Sequence, residues 1–192
     1  MGQRLVITIR KNNEIIAGIY YHWSAYSLSA LEETRNVLDC LLDEENPIKD
    51  LRLRLIRFIE TNGGVIDGGI TSDEFKRVRE IYPHENFKTN GLRNLGLIAL
   101  TKEGIADLES WSEGDILIDL DAQIIFNSVF YTATLDEYNY DMNEEKKIED
   151  FPEKNIELEK IFFEKLDDVI VELENLNGYE FRKGETIYSL IA

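Results

Sequence analysis

Residues 4–21, RLVITIRKNNEIIAGIYY, decide the fold that this sequence can adopt. β-Branched and polar residues alternate from Arg4 to Arg10, and a second apolar run extends from Glu14 to Tyr21. Such runs are typical of β-strands, and the intervening Lys11-Asn12-Asn13 offers residues that tight turns prefer. The stretch therefore predicts an N-terminal β-hairpin.

Three amphipathic helices are predicted between this hairpin and the middle of the chain. Their expected bounds are Ser29 to Asn46-Pro47, Ile48 to Gly63-Gly64, and Thr71 to Pro83. Glu32 and Glu74 lie three residues after Ser or Thr, which indicates capping boxes at the first and third helices. In the second helix, Arg54 and Arg57 are expected to point away from the apolar face. The glycine-rich residues 62–69 are interpreted as a flexible turn, because they lack the Lys of a P-loop and the spacing of a dinucleotide fingerprint.

The second half of the chain is predicted to combine short strands with one long helix. The expected elements are a strand at Leu95 to Thr101, a turn at Lys102-Glu103-Gly104, two strands within Asp115 to Tyr131, a surface loop at Thr134 to Asp150, a helix at Glu153 to Leu176, and a closing hairpin at Tyr179 to Ile191. The apolar residues of the helix share one face: Leu158, Phe162, Leu166, Val169, Leu173 and Leu176. Ile161 and Val171 are expected among the carboxylates on its other side.

Together these elements predict one α+β domain spanning residues 1–192. Its sheet is expected to be mixed or antiparallel and built from hairpins, with about four helices, the last of them long, acidic and amphipathic. The single Cys40 cannot close an intrachain disulfide, no Cys/His cluster has zinc-ligand spacing, and no run of eighteen apolar residues occurs. We therefore expect a cytoplasmic protein that needs no membrane, metal or cofactor.

The formal charge of −17 arises entirely in the back half of the chain. Residues 1–102 contain 14 acidic and 14 basic side chains, whereas residues 103–192 contain 24 acidic and 7 basic ones. A field of this sign repels nucleic-acid phosphates and anionic lipids, and attracts cationic surfaces within about 8 Å. The acidic half therefore predicts a basic protein partner rather than direct binding of nucleic acid.

Apolar residues interrupt the carboxylates of the acidic half, as they do in protein interfaces. The predicted partner-binding residues are Asp136, Glu137, Tyr138, Tyr140, Asp141, Glu144, Glu145, Glu157, Ile161, Glu164, Asp168, Val171 and Glu172. Such a surface would suit the basic channel of a nucleic-acid-binding enzyme, because charge steers the encounter and apolar anchors supply affinity. The alternatives are a face that only keeps the protein soluble, or acids that dock internally onto Arg54 and Arg57.

An aromatic cluster with one of the two histidines follows the hairpin: Tyr20, Tyr21, His22, Trp23 and Tyr26. Aromatic packing at a strand end accounts for it without any ligand. The competing interpretation is a small-molecule or nucleotide site, or an enzyme, with an anionic ligand on a guanidinium; its residues would be Arg4, Tyr21, His22, Trp23 and Tyr26. No Ser, Thr or Cys has a recognisable nucleophile setting, so no catalytic residue is predicted and a non-enzymatic role is favoured.

Three aspartates, Asp115, Asp119 and Asp121, raise the question of a metal site. Carboxylates bind Mg²⁺ and Ca²⁺, but these lack the Gly-bearing loop and terminal Glu of an EF-hand. Alternate acids along a strand are also typical of a solvated sheet face. We expect the solvated face and no metal.

The sequence Gly2-x-Arg4, followed by an Ile-rich strand and by Tyr20-x-His22-Trp23-x-x-Tyr26, resembles the start of small uncharacterised proteins of bacteriophages and other mobile elements. The resemblance covers the first 26 residues, and Ala25 stands where members of that group often have Gly. It implies a phage or prophage origin and no particular mechanism. Together with the charge asymmetry, it leads us to expect an inhibitor of a host defence enzyme, acting in the host cytosol. A phage structural or assembly role is a further hypothesis, and the sequence leaves the partner's identity and the oligomeric state open.

Overall fold

The computed structural model of this chain describes residues 3–25, 27–62, 64–67, 69–81, 95–129 and 156–183. Seven strands lie in these ranges: β1 (Leu5–Lys11), β2 (Glu14–Tyr21), β3 (Val65–Asp67), β4 (Leu95–Ala99), β5 (Gly114–Asp119), β6 (Ile124–Ser128) and β7 (Glu180–Lys183). Five helices accompany them: α1 (Ser27–Leu42), α2 (Leu51–Thr61), α3 (Ser72–Ile81), α4 (Lys102–Glu109) and α5 (Ile156–Asn177). The predicted α+β class is confirmed.

All seven strands form one mixed sheet in the order β3-β4-β2-β1-β5-β6-β7. The N-terminal hairpin lies at its centre, because β1 pairs antiparallel with β2 and parallel with β5. Asn12 and Asn13 have φ angles of 52° and 60°, left-handed values that asparagine tolerates and that two-residue hairpin turns require. The predicted hairpin is confirmed.

Helices cover the two faces of the sheet unequally. On one face, Leu5, Ile7 and Ile9 of β1 project into the main core, to which α1, α2 and α5 contribute. On the other face, the short helix α4 covers a smaller cluster formed by Val6, Tyr20, Ala99, Ile105 and Leu108. Side chains of opposite faces alternate along β1, so neighbouring residues enter different clusters.

Arg54 contradicts the prediction that it points away from the core. Its side chain is buried, with Nε donating to the carbonyl oxygen of Ile48 at 2.5 Å and Nη1 donating to that of Leu41 at 2.7 Å. Leu41 lies in the last turn of α1, where carbonyls lack helical partners. Arg54 therefore caps α1 through backbone oxygens, and the hypothesis that it docks the acidic residues was wrong.

Three local predictions also need correction. The capping box at Ser29 was wrong, because α1 already begins at Ser27. Lys102-Glu103-Gly104 is the first turn of α4, capped by Thr101 Oγ1, which accepts from the Gly104 amide at 3.1 Å. The glycine-rich residues 62–69 contain β3, which pairs parallel with β4. By contrast, the capping box of α3 is confirmed, since Thr71 Oγ1 accepts from the Glu74 amide at 3.2 Å.

The expectation of a solvated aspartate face was wrong at Asp119, which is buried beside Arg10. Its carboxylate also accepts the amides of Asp121 and Ala122, each at 3.0 Å. Burial acts to raise the pKa of Asp119, but the Ala122 amide and Arg10 outweigh it, so that the pKa lies below its usual value. The carboxylate therefore joins the hairpin to the β5–β6 turn.

The C-terminal elements agree with the prediction as far as they are described. Gly178, with a φ of 67°, follows α5 as expected for a helix C-cap. β7 pairs parallel with β6 at the edge of the sheet. The loop predicted at Thr134 to Asp150 and the predicted second strand of the closing hairpin lie outside the described residues.

Candidate functional site

The outward side of α5 carries the described part of the predicted partner surface. We call it the acidic face, and it consists of Glu157, Ile161, Glu164, Asp168, Val171 and Glu172. The opposite side is buried in the core through Phe162, Leu166, Val169 and Leu173. Ile161 and Val171 remain 39% and 51% exposed, as the helical pattern predicted. The remaining predicted residues, between Asp136 and Glu145, lie outside the described residues.

Two carboxylates of the acidic face already have cationic neighbours. Glu172 accepts from Arg35 of α1 at 2.7 Å, and Glu164 lies 3.5 Å from Lys160 one turn before it. Both pairs are exposed, and such pairs contribute only about 0–1 kcal/mol to stability. Glu157 and Asp168 form no ion pair within the described part of the chain. Two of the four carboxylates of the face therefore meet solvent without an ion pair from the described residues.

The structure divides the predicted aromatic site between two faces of the sheet. Tyr21 is fully buried toward the main core, and its hydroxyl finds no hydrogen-bond partner among the residues that the structure describes. His22 and Trp23 are exposed at the end of β2, and Tyr26 lies outside the described residues. Tyr21 does not join His22 and Trp23 in one site, because its side chain is buried in the main core whereas theirs are exposed beyond the end of β2.

Tyr20 takes the place expected of Tyr21 beside the histidine. The two rings meet edge to face at 4.7 Å, and the Tyr20 hydroxyl lies 3.1 Å from His22 Nδ1. Arg4 lies nearby but is bound to Glu113, whose Oε2 accepts from the Arg4 amide at 3.0 Å and from Nε at 3.3 Å. Burial raises the pKa of Tyr20, while Arg4 opposes that shift. The group is an ordered polar cluster in which the guanidinium already has a carboxylate.

Trp23 is the one unusual backbone position of this cluster. Its φ is 61°, which is rare for a large side chain, and 48% of its surface is exposed. Among the three cavities that we describe for this protein, none is lined by Arg4, His22 or Trp23. These three cavities therefore give no support to the small-molecule interpretation, which requires a concave pocket beside those residues.

Glu113 and Gly96 complete the cluster and were not foreseen, because neither carries a local sequence signal. Gly96 lies under the Tyr20–His22 pair: a Cβ at this position would come within 2.7 Å of Tyr20 Cδ1 and 3.2 Å of His22 Nε2. Glu113 is 109 positions from Arg4 in sequence. Only the pairing of β4 with β2, and of β5 with β1, brings them together.

Replacing Gly96 with alanine is expected to lower the free energy of unfolding by about 1–3 kcal/mol, because the new methyl group overlaps a buried ring. Chemical denaturation measures the loss, and the imidazole NMR signals of His22 report the displaced pair. Gly18→Ala is the matched control, since a Cβ there would make only ordinary contacts of 3.5 Å with Ile105 and Leu108. Equal losses in both variants would contradict the steric argument.

Cys40 offers no nucleophile. Burial raises the pKa of its thiol to about 11, against the opposing charge of Arg54. The thiolate is the reactive form, so at neutral pH this side chain is inert. This thiol thus adds no catalytic group to those considered from the sequence.

The described ranges contain no group of three or more His, Cys, Asp or Glu residues arranged to hold a metal ion. They also contain no helix with the length and apolar character needed to cross a bilayer. Comparison of the chain with protein families, with curated proteins and with solved structures gives no match.

Proposed function

We propose that this chain is a non-enzymatic interaction protein whose acidic face binds a basic, nucleic-acid-binding protein. On this proposal α5 occupies the nucleic-acid channel of the partner and inhibits it. The resemblance of residues 2–26 to phage proteins makes a host defence enzyme the class of partner to test first.

The exposure of Ile161 and Val171 is the observation that carries the proposal. The two side chains lie ten residues apart, about 15 Å along the helix, with Glu164 and Asp168 between them. A face that only keeps a protein soluble does not require exposed apolar side chains, whereas interfaces combine apolar anchors with a polar rim. The pattern therefore favours binding over solubility alone.

The spacing of the carboxylates suits a surface rich in lysine and arginine. Glu164 and Asp168 lie one turn apart on the same side of α5, so that one partner can contact both. The aliphatic stems of Lys and Arg side chains would pack on Ile161 and Val171 while their charged ends meet the carboxylates. Nucleic-acid channels present cations of this kind because they bind phosphates.

The test begins with capture of a partner from a bacterial lysate on the immobilised chain, followed by affinity measurements with the purified partner. Replacing Glu164 by Gln together with Asp168 by Asn is expected to weaken binding about tenfold and to flatten its dependence on salt. Ile161→Ser with Val171→Ser should weaken binding without changing the salt dependence, because no charge is lost. Nucleic acid is expected to compete with the chain.

The control pair is Asp39→Asn with Asp107→Asn, which removes two exposed carboxylates from α1 and α4. This pair should bind like the wild type, although its net charge equals that of the α5 charge variant. The proposal fails if both pairs weaken binding equally, if the partner lacks a basic channel, or if nucleic acid does not compete.

A further inference from the structure

A cavity of about 550 Å³ lies where the turn of the N-terminal hairpin meets the first residues of α2 and α4. Four cationic side chains, Lys11, Lys49, Arg52 and Lys102, line it together with one carboxylate, Asp50. Small-molecule sites commonly have volumes of several hundred Å³. In a chain whose net charge is −17, this concave surface is locally positive.

Arg52 and Asp50 belong to the scaffold of the cavity. Arg52 Nε donates to Glu74 Oε1 at 2.6 Å, and its Nη1 and Nη2 donate to the carbonyl oxygens of Leu100 and Gly69. Asp50 caps α2 by accepting from the Leu53 amide at 3.2 Å. These bonds hold the wall of the cavity in place, and they already engage the charged groups of Arg52 and Asp50.

The remaining cations are available to a ligand. Lys11 and Lys102 form no ion pair within the part of the chain that the structure describes. Lys49 Nζ donates to the backbone carbonyl oxygen of Glu44 at 2.7 Å. Because this acceptor is not a carboxylate, the bond does not neutralise the charge of Lys49. Up to three positive charges therefore face one cavity, and a cleft of this kind concentrates anions.

Aliphatic side chains form the rest of the wall, among them Ile15, Leu51 and Leu100. They offer a surface on which a planar aromatic ring can pack. A second cavity of about 440 Å³ shares Ile15 and Lys102 but adds Glu14 and Glu109. Of these two neighbouring cavities, the larger therefore has the excess of positive charge, and it combines a cationic rim with an apolar wall.

We propose that this cavity binds a phosphorylated small molecule with a planar aromatic ring, of which a nucleoside diphosphate is the representative. Lys11 and Lys102 bind the phosphates, Lys49 adds a third positive charge, and the aliphatic wall contacts the ring. The site is separate from the acidic face, and its ligand has the opposite sign of charge to the partner proposed above.

Calorimetric titration of the whole chain at low salt tests the assignment with three probes: ADP, adenosine and inorganic pyrophosphate. ADP is expected to bind more tightly than either of the others, because only ADP supplies both phosphates and ring. Lys102→Glu should weaken ADP binding about tenfold or more. Lys102 is the first residue of α4, where an acidic side chain favours the helix, so this variant should keep its thermal stability.

Lys11→Gln should also weaken ADP binding. The control combines Lys76→Gln with Lys160→Gln, on the surfaces of α3 and α5, and should leave ADP binding unchanged. Absence of binding at about 1 mM ADP, or unchanged affinity in a folded Lys102→Glu variant, would overturn the assignment. Pyrophosphate binding as tightly as ADP would overturn the role of the apolar wall.

Discussion

Replacing Arg54 with methionine is expected to lower the free energy of unfolding by about 3 kcal/mol. Methionine fills much of the same volume but cannot donate to the Ile48 and Leu41 carbonyl oxygens, which Arg54 contacts at 2.5 and 2.7 Å. Each buried acceptor left without a donor costs on the order of 1–3 kcal/mol. The end of α1 and the start of α2 would lose their common anchor. Denaturation in urea, monitored by circular dichroism, measures the change.

Two further variants separate the carbonyl contacts from the loss of charge. Arg54→Lys keeps the charge but cannot reproduce the planar fork of donors, so it should recover only part of the lost stability. Arg77→Met removes an exposed arginine from α3 and should change the free energy of unfolding by less than about 0.5 kcal/mol. A loss of under about 1 kcal/mol in Arg54→Met would mean that the two carbonyls do not depend on this side chain.

Arg54 also illustrates why part of the fold was beyond prediction from the sequence. The hairpin and α5 were predictable because their patterns repeat over many residues and need no distant partner. Nothing in the sequence around Arg54 indicates that its side chain will be buried. It can be buried because two backbone oxygens accept its hydrogen bonds. Those oxygens become available only once α1 has ended nearby. Helix α4 was missed for a different reason: its eight residues are too few for clear periodicity.

The same distinction applies to the candidate sites. The exposure of Ile161 and Val171 follows from helical geometry alone, so it could be predicted. The separation of Tyr21 from His22 arises instead because Tyr21 is buried in the main core whereas His22 is exposed beyond the end of β2. The basic cavity could not be predicted, because Lys11, Lys49 and Lys102 are far apart in sequence. They meet only through the placement of α2 and α4 beside the hairpin turn.

Replacing Glu33 of α1 with glutamine is expected to stabilise the protein at alkaline pH by up to about 3 kcal/mol. Burial raises the pKa of Glu33 from its ordinary value of 4.5 to about 7, although Asn36 opposes the shift by donating to Oε2 at 3.3 Å. Between these two pH values the unfolded chain ionises Glu33 while the folded chain keeps it neutral. Glu33 therefore lowers the free energy of unfolding as pH rises from about 4.5 to 7, and the penalty persists above 7.

Unfolding free energies of the wild type and Glu33→Gln, measured at pH 5 and pH 8, test this directly. Their difference should be small at pH 5 and large at pH 8, because glutamine keeps the shape of the neutral carboxyl without its ionisation. Asp39→Asn on the same helix is the control and should give equal differences at both pH values, since Asp39 is exposed. Parallel curves for the wild type and Glu33→Gln would show that Glu33 is ionised at no cost in the folded chain. If the curves diverge, ionisation of Glu33 destabilises the folded chain as the pH rises above its ordinary pKa.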